Sequence, residues 1–183
     1  MTLYDETLTL LQELIRNACV NDLTPDSGQE IRNAESLERF FEGTPNVKIT
    51  KLEPRLGRTS IIVTVPGSDP DAEPLTLLGH TDVVPVDLPK WTKDPFGAEI
   101  SDGQIWGRGS VDMLFITATQ AAVTRQVARE GGPLTLVRGC GAGRAAGLVR
   151  SGFRKNTKTS SVGKTAFPNP VDRTFQSAMA AMR

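Results

Sequence analysis

Histidine, cysteine and aromatic residues are scarce in this chain of 183 residues, which has one histidine and two cysteines. The cysteines, Cys19 and Cys140, are too few for a disulfide framework and too far apart in sequence for a metal-binding knuckle. No apolar run approaches the length of a membrane span. The N-terminus shows neither the basic region nor the apolar region of a secretory signal. We therefore expect a cytoplasmic protein with no membrane partner.

Acidic residues almost disappear after residue 132, although the net charge of the whole chain is zero. Residues 1–132 carry 12 Lys and Arg against 20 Asp and Glu, whereas residues 133–183 carry 9 Lys and Arg and one acid, Asp172. A basic segment can bind phosphates, but this one has only Phe153, Phe167 and Phe175 to stack on bases. We therefore expect no nucleic-acid partner.

The charge split divides the chain into a domain over residues 1–132 and an aberrant basic tail, rich in Gly, Arg and Ser, over residues 133–183. Two explanations of the tail stay open. It is a disordered basic segment, or it results from a shift of the reading frame near Val137 followed by early termination. In either case we expect residues from about Arg138 onward to be poorly packed and sensitive to proteases, because they offer few apolar side chains to offset the ordering cost.

Apolar periodicity predicts three helices in the first part of the chain. Leu8, Leu11 and Ile15 recur at helical spacing. Ser27 and Glu30 fit a capping box that opens a second helix, which runs to Phe40 or Phe41 and stops near Gly43. The composition of residues 111–130 predicts a third helix.

Four short segments read as strands: residues 47–52, 60–65, 75–78 and 134–137. The third has the composition of a buried strand and runs into Gly79 and His80. Strands alternating with helices indicate an α/β fold, with a mixed or mostly parallel sheet flanked by helices. Ligands of such sheets gather beyond the carboxyl ends of strands, where His80 and Asp82 lie. Asp112 is expected at the start of the third helix, where the helix dipole favours an acid.

Two motifs carry the chemistry: Gly79-His80-Thr81-Asp82 and the segment Gly107-Arg108-Gly109-Ser110-Val111-Asp112-Met113. Alone, His80 is more often a satisfied surface residue, and Asp112 is more often a helix cap. Together, an imidazole and carboxylates can hold a divalent transition metal, and the glycines let the backbone approach closely. An aspartate two residues after a ligand histidine can orient the ring. A shared metal would require His80 and Asp112 to be adjacent.

The run from Leu75 to Ala121 resembles the zinc-dependent aminoacylase and carboxypeptidase family, which includes acetylornithine deacetylase, succinyl-diaminopimelate desuccinylase and related dipeptidases. The resemblance covers roughly residues 1–132, and the segment Asn21–Gly28 also looks like the family. The words that carry it are Leu78-Gly79-His80-Thr81-Asp82-Val83-Val84-Pro85, Trp91 with Asp94-Pro95-Phe96, Asp102-Gly103, and Ile105-Trp106 followed by the second motif.

The resemblance implies the N-terminal part of a zinc-peptidase-like catalytic domain, acting on amide bonds of peptides or N-acyl amino acids. It implies that His80 binds one metal ion, that Asp112 bridges two, and that Asp82 is catalytic by supporting His80 and the water chemistry. The complete family site holds two Zn²⁺ ions, with Co²⁺ or Mn²⁺ as alternatives.

The resemblance also implies that the domain is incomplete. In the family the next strand leads into paired acids, but Val137 is followed by Arg138-Gly139-Cys140 without an acid. No glutamate follows Glu130, so at most two metal ligands are expected. The family's dimerisation domain has no counterpart, which leaves the oligomeric state and the substrate open. The function is then either that of a metal-dependent amide hydrolase or that of a non-catalytic fragment.

Other conspicuous residues have structural interpretations. Trp91, Phe96 and Trp106 are expected to pack rather than to contact substrate. Arg108 is expected to fix its turn through backbone contacts. Cys19 is expected to be a small buried hydrophobe.

Overall fold

The computed structural model describes residues 1–141. Its regular elements are three helices, α1 (Leu3–Arg16), α2 (Ile31–Phe41) and α3 (Leu114–Glu130), and six strands, β1 (Lys48–Leu52), β2 (Ser60–Val65), β3 (Leu75–His80), β4 (Glu99–Ser101), β5 (Gln104–Trp106) and β6 (Leu136–Gly141). The three predicted helices and four predicted strands are therefore confirmed, with different ends for some of them. Within this part of the chain no helix is long and apolar enough to cross a membrane.

The main sheet has the strand order β1-β2-β6-β3. β1 pairs antiparallel with β2, β2 pairs antiparallel with β6, and β6 pairs parallel with β3. The expected α/β fold is confirmed. Of the two expected kinds of sheet, mixed or mostly parallel, the sheet is the mixed one, because two of its three strand pairs are antiparallel. A separate hairpin joins β4 and β5 through Asp102 and Gly103.

The larger of two apolar clusters among residues 1–141 lies between the sheet and the helices, and the smaller one contains Val65, Ala128 and Leu136. Ile61, Val63 and Cys140 point from β2 and β6 into a cluster that includes buried residues of all three helices, among them Leu11, Leu37 and Ala118. Each of these side chains is at most 4% exposed, so each contributes on the order of 1–3 kcal/mol of burial free energy, with the small Ala118 contributing least.

The strand β6 corrects two expectations. The sequence suggested a strand ending at Val137, yet β6 continues through Gly141 and occupies the interior of the sheet. Arg138 and Cys140 are buried, so the expectation of poor packing is wrong for residues 138–141. The rest of the predicted tail, residues 142–183, lies outside the described residues.

The strand β3 was expected to be buried, which is also wrong. Its residues are exposed or half-buried, and Leu75 is 49% exposed. The physical reason is its position at the end of the strand order, since only one neighbouring strand, β6, pairs with it among residues 1–141.

The entry into α2 differs from the predicted capping box. Glu30 occupies the N-cap position without a side-chain cap bond, and the hydroxyl of Ser27 instead donates to the carbonyl of Thr24. Positive φ angles at Gly28 and Gln29 turn the chain between Ser27 and the helix. The carboxylate of Glu30 instead lies 2.7 Å from Nε of Arg58.

A buried carboxylate, Glu6, joins α1 to α3. It lies 2.7 Å from Nη2 of Arg125 and 3.1 Å from Nη1 of Arg129. Arg125 also donates to the carbonyl of Phe40 at 2.7 Å and stacks on the Phe40 ring. Burial opposes ionisation of Glu6, but the hydrogen bonds from the two arginines outweigh burial and hold its pKa below the ordinary value.

We expect Glu6→Gln to lower the free energy of unfolding at neutral pH by about 3 kcal/mol, because it leaves a nearly buried arginine without its counter-charge. Since folding lowers the pKa of Glu6, its stabilisation is full above the unfolded-state pKa and is lost as the pH falls through the folded-state pKa. Urea unfolding at about pH 7 and pH 3 measures both effects. The control is Glu13→Gln, which removes an exposed pair with Arg39 and should cost below about 1 kcal/mol. Equal losses for both variants at neutral pH would contradict this assignment.

Candidate metal site

His80 is the last residue of β3, where the backbone is held from two sides. Its carbonyl accepts a hydrogen bond from Oγ1 of Thr117 at 2.9 Å, and its amide faces Sδ of Met113 at 3.5 Å. Both partners lie on or beside the first turn of α3. The ring therefore projects from a fixed position at the carboxyl end of a strand, as the sequence predicted.

The hydrogen bond of the His80 ring decides which nitrogen is free. Nδ1 lies 2.9 Å from the backbone carbonyl oxygen of Asp82. Because a carbonyl oxygen only accepts, Nδ1 must donate. In the neutral ring the lone pair then resides on Nε2. Nε2 lies 3.4 Å from Oδ1 of Asp112, so the predicted adjacency of His80 and Asp112 is confirmed.

Asp112 lies in a turn two residues before α3 and not at the helix start, so that expectation is wrong. Residues 110–113 form the turn, and the helix begins at Leu114. The Asp112 side chain is 90% exposed, against 30% for His80. The carboxylate is therefore available from the solvent side, opposite the imidazole.

Asp82 is held by a residue that the sequence analysis did not select, Asn21. The Asn21 amide nitrogen donates to Oδ2 of Asp82 at 2.7 Å, while its Oδ1 accepts from the Leu23 amide at 3.0 Å. Because a backbone N–H only donates, the second bond fixes the orientation of the Asn21 amide. The other Asp82 oxygen, Oδ1, lies 3.4 Å from Nδ1 of His80. The family-like segment Asn21–Gly28 was the available signal for this residue.

We expect Asn21→Ala to weaken zinc binding by the full chain about tenfold, because it frees the Asp82 carboxylate that supports the His80 ring. Competition with a chelator of known affinity measures the dissociation constant. Leu23→Ala is the matched control, because Leu23 lines the same cleft and is 86% exposed. Unchanged zinc affinity in Asn21→Ala, with the fold intact, would contradict a positioning role.

These residues line an open cleft of about 540 Å³. Its walls come from the segment after α1, the end of β3 and the turn before α3. The lining residues that the chemistry involves are Asn21, His80, Asp82, Trp91, Arg108 and Asp112.

The separation of the donor atoms fits a shared metal ion. Donors bound to one tetrahedral Zn²⁺ at roughly 2.0–2.2 Å lie about 3.3–3.6 Å from each other. The 3.4 Å between Nε2 of His80 and Oδ1 of Asp112 falls in this range. Within residues 1–141, however, no group of three or more His, Cys, Asp or Glu side chains is placed to hold a metal. Among the described residues, His80 and Asp112 are therefore the two candidate donors.

The turn around Arg108 is fixed by its backbone. The Arg108 amide donates to the carbonyl of Pro95 at 2.7 Å. A side chain on Gly107 would meet Ile15, and Gly109 has a φ of +88°. The guanidinium makes no hydrogen bond to the backbone within residues 1–141, so the expectation holds for the main chain of Arg108 and not for its side chain.

The aromatic residues divide between the core and the cleft. Phe96 packs against the core as expected, whereas Trp91 lines the cleft and faces the Arg108 guanidinium at 5.3 Å. Cys19 is buried and unpaired, as expected, and burial raises the pKa of its thiol to about 11. It is therefore a packing residue and not a reactive thiol.

Residues 76–140, which contain the whole of this site except the Asn21 segment, match the sequence profile described as Peptidase family M20/M25/M40. This part of the chain is similar to the M20 peptidases. The chain is 44% identical over 138 residues to succinyl-diaminopimelate desuccinylase 2 of Ruegeria sp. (strain TM1040). It is 32% identical over 126 residues to aminoacylase-1 of Sus scrofa.

Two solved structures share the fold. An M20 family metallo-carboxypeptidase, Sso-CP2 from Sulfolobus solfataricus, matches 74% of this chain with a TM-score of 0.62 at 21% identity. Human carnosine dipeptidase 1 matches 81% of the chain with a TM-score of 0.54 at 22% identity. The chain covers 30% and 35% of these two structures, so it matches only part of their fold.

The chain also covers about 30% of the length of the relatives found by sequence. The chain matches over 70% of its own length but spans 30% of the Ruegeria desuccinylase. For the pig aminoacylase the two shares are 68% and 30%.

Proposed function

We propose that the chain carries the metal-binding half of an M20-type site whose reaction class is metal-dependent hydrolysis of amide bonds in peptides or N-acyl amino acids, and that this chain by itself has low activity. The observation that carries the proposal is the approach of His80 Nε2 to Asp112 Oδ1 at 3.4 Å, with Nδ1 already engaged by Asp82. The names of the relatives, a desuccinylase and an aminoacylase, support this reaction class.

His80 and Asp112 would hold the metal ion in this proposal. Zn²⁺ is the preferred ion, because it accepts nitrogen and carboxylate donors together, and Co²⁺ or Mn²⁺ are alternatives. Asp112 is proposed to bridge two ions in the complete site. When bound, such an ion lowers the pKa of a water molecule and polarises the carbonyl of the substrate.

The chain's own residues prepare this site. The Asp82 carbonyl keeps the proton of His80 on Nδ1, and the Asp82 carboxylate lies on the same side of the ring. This arrangement orients the ring, so that Nε2 is the nitrogen left for a metal ion. Asp82 is therefore proposed as the residue that supports both His80 and the activation of water, and Asn21 as the residue that positions Asp82.

A second candidate function is that of a non-catalytic fragment. The observation that favours it is the two-donor site, since residues 1–141 supply no third ligand group. The division into residues 1–132 and 133–183 remains a proposal, although β6 extends the sheet of the first part to Gly141. The cytoplasmic location also remains a proposal. So do the two explanations of the tail, a disordered basic segment or a shift of the reading frame near Val137 followed by early termination. Sequencing of the coding DNA tests the frame shift, which fails if neither alternative frame near Val137 encodes a strand followed by paired acids.

Metal content and hydrolysis, measured together on the purified chain, separate the two candidates. We expect calorimetric titration to show one weakly bound Zn²⁺, because water must fill most coordination positions. We also expect hydrolysis of N-acetyl amino acids and dipeptides to stay near background. Tight binding of two ions with rapid hydrolysis would favour the hydrolase and would show that the site has ligands besides His80 and Asp112. The complete absence of zinc binding would contradict the proposed metal site.

A further inference from the structure

Asn33 is a buried polar side chain of α2 that reaches the segment between His80 and Asp82. It is 0% exposed, and its Nδ2 donates to the backbone carbonyl of Thr81 at 2.8 Å. Because a carbonyl oxygen only accepts, this bond determines which end of the Asn33 amide faces Thr81. A helix that does not line the cleft is thereby connected to the residue between the two site residues.

The Asn33 amide is itself held by the end of α1. Asn17, the C-cap residue of that helix, donates from Nδ2 to Oδ1 of Asn33 at 2.9 Å. Both polar atoms of the Asn33 side chain therefore have partners, and a rotated amide would lose both hydrogen bonds inside the protein. The result is a relay of hydrogen bonds from Asn17 through Asn33 to the Thr81 carbonyl.

Thr81 is the point at which this relay meets the site. The residue is 1% exposed, and its N–H donates to the carbonyl of Gly141 in β6 at 3.0 Å. Its carbonyl group belongs to the peptide bond with Asp82, so the bond from Asn33 restricts the rotation of that peptide. The Asp82 carbonyl, which lies 2.9 Å from Nδ1 of His80, follows directly in the backbone.

The neighbouring anchors do not replace the bond from Asn33. Thr117 holds the carbonyl of His80, and Asn21 holds the side chain of Asp82. Within residues 1–141 no other group donates to the Thr81 carbonyl. Loss of the Asn33 amide would leave that carbonyl buried without a donor, which favours a rotated peptide.

We propose that Asn33 is a positioning residue of the site. Through Thr81 it holds the backbone of Asp82 in the place where the Asp82 carbonyl keeps the proton of His80 on Nδ1. This inference rests on the proposed function for the role of the metal ion. Its effect on the His80 ring requires no metal, so it is testable separately.

The test is the nitrogen NMR spectrum of the single histidine, recorded on the full chain with a chelator present at about pH 8. Asn33→Leu replaces the amide by an apolar side chain of similar size. We expect the proton of the His80 ring to be distributed between Nδ1 and Nε2, because the released peptide no longer fixes the acceptor. In a second measurement, zinc affinity should fall about tenfold, as for the loss of a group that supports a ligand.

Ser36→Ala is the matched control, one turn further along α2. Ser36 is buried, and its hydroxyl accepts from the same Asn17 amide at 2.8 Å and donates to the carbonyl of Arg32. The variant loses buried hydrogen bonds of the same network, and its stability should fall. The His80 ring should nevertheless keep its proton on Nδ1, and zinc affinity should stay unchanged.

Asn17→Ala is a second, milder variant. It removes the partner of Oδ1 of Asn33 and leaves the Asn33 amide present, so we expect the same change of the His80 ring to a smaller extent. Circular dichroism establishes which variants fold, and Asn17→Ala decides the question if Asn33→Leu does not.

A His80 ring that keeps its proton on Nδ1 in folded Asn33→Leu would overturn the proposal, and so would an equal change in Ser36→Ala. If Asn33→Leu does not fold, an unchanged ring in Asn17→Ala would overturn it. Failure of the unaltered chain to bind zinc would instead contradict the proposed function and leave the ring measurement valid. The two failures are therefore distinguishable.

Discussion

Replacing His80 with alanine is expected to lower the affinity of the chain for Zn²⁺ by about a hundredfold or more. His80 supplies the nitrogen donor of the site, and loss of even the supporting partner of such a ligand costs about 10–100-fold in affinity. Since His80 is the only histidine, no other imidazole can replace it. The dissociation constant of the full chain and of the variant, measured by competition with a chelator, gives the result.

Two aspartate variants make the His80 result specific. Asp112→Asn should cause a loss of similar size, because it removes the oxygen donor that lies 3.4 Å from Nε2 of His80. Asp87→Asn changes the net charge equally at an exposed pair with Lys90 and should leave zinc affinity unchanged. If all three variants weaken binding alike, the chain attracts zinc by its general charge and not at this site.

Replacing Arg138 with methionine is expected to raise the free energy of unfolding by about 1–4 kcal/mol. Arg138 is fully buried in β6. Its guanidinium donates to the carbonyl of Thr117 at 2.9 Å and lies 3.3 Å from Sγ of Cys140, while Nε has no acceptor. No carboxylate among residues 1–141 forms an ion pair with it. A buried charge without a counter-charge opposes folding, so an apolar side chain of similar length should fit better.

Urea unfolding of the full chain and the variant measures this change. Arg125→Met is the matched control, because Arg125 is paired with Glu6 and its loss should lower the free energy of unfolding by about 3 kcal/mol. A loss of stability in Arg138→Met would contradict this account, because it would show that the contacts of the guanidinium outweigh the cost of burying its charge.

The metal-site residues could be selected from the sequence because each lies in a short motif that is recognisable by itself. The Gly-His-Thr-Asp motif follows an apolar strand, and the ring contact between His80 and Asp82 spans two residues. The contact between His80 and Asp112 spans more than thirty residues, and it was predictable from the chemical need for converging ligands. The family resemblance of residues 1–132 led to the same pair.

The strand β6 could not be read from side-chain patterns. Arg138, Gly139 and Gly141 indicate the end of a strand by propensity, but backbone pairing with both β2 and β3 decides the outcome. Gly141 also fits for a packing reason, since a side chain there would meet Ser60. Long-range pairing of this kind overrides local preference.

The role of Asn21 depends on a contact that no local pattern contains. Asn21 and Asp82 are brought together because the chain after α1 pairs with the segment at Val83. The backbone N–H of Asn21 donates to the carbonyl of Val83 at 2.8 Å.

The predicted capping box at Ser27 is wrong for a related reason. Positive φ angles at Gly28 and Gln29 direct the chain away from the capping geometry.

The most direct test of the proposed metal site is the nitrogen NMR spectrum of the single histidine during a zinc titration of the full chain at about pH 8. Before zinc is added, the His80 ring should show a proton on Nδ1, as its bond to the Asp82 carbonyl requires. Zinc should then shift the Nε2 resonance while Nδ1 keeps its proton. Zinc binding that leaves both ring nitrogens of His80 unchanged, or that removes the proton from Nδ1, would contradict a metal site formed by His80 and Asp112.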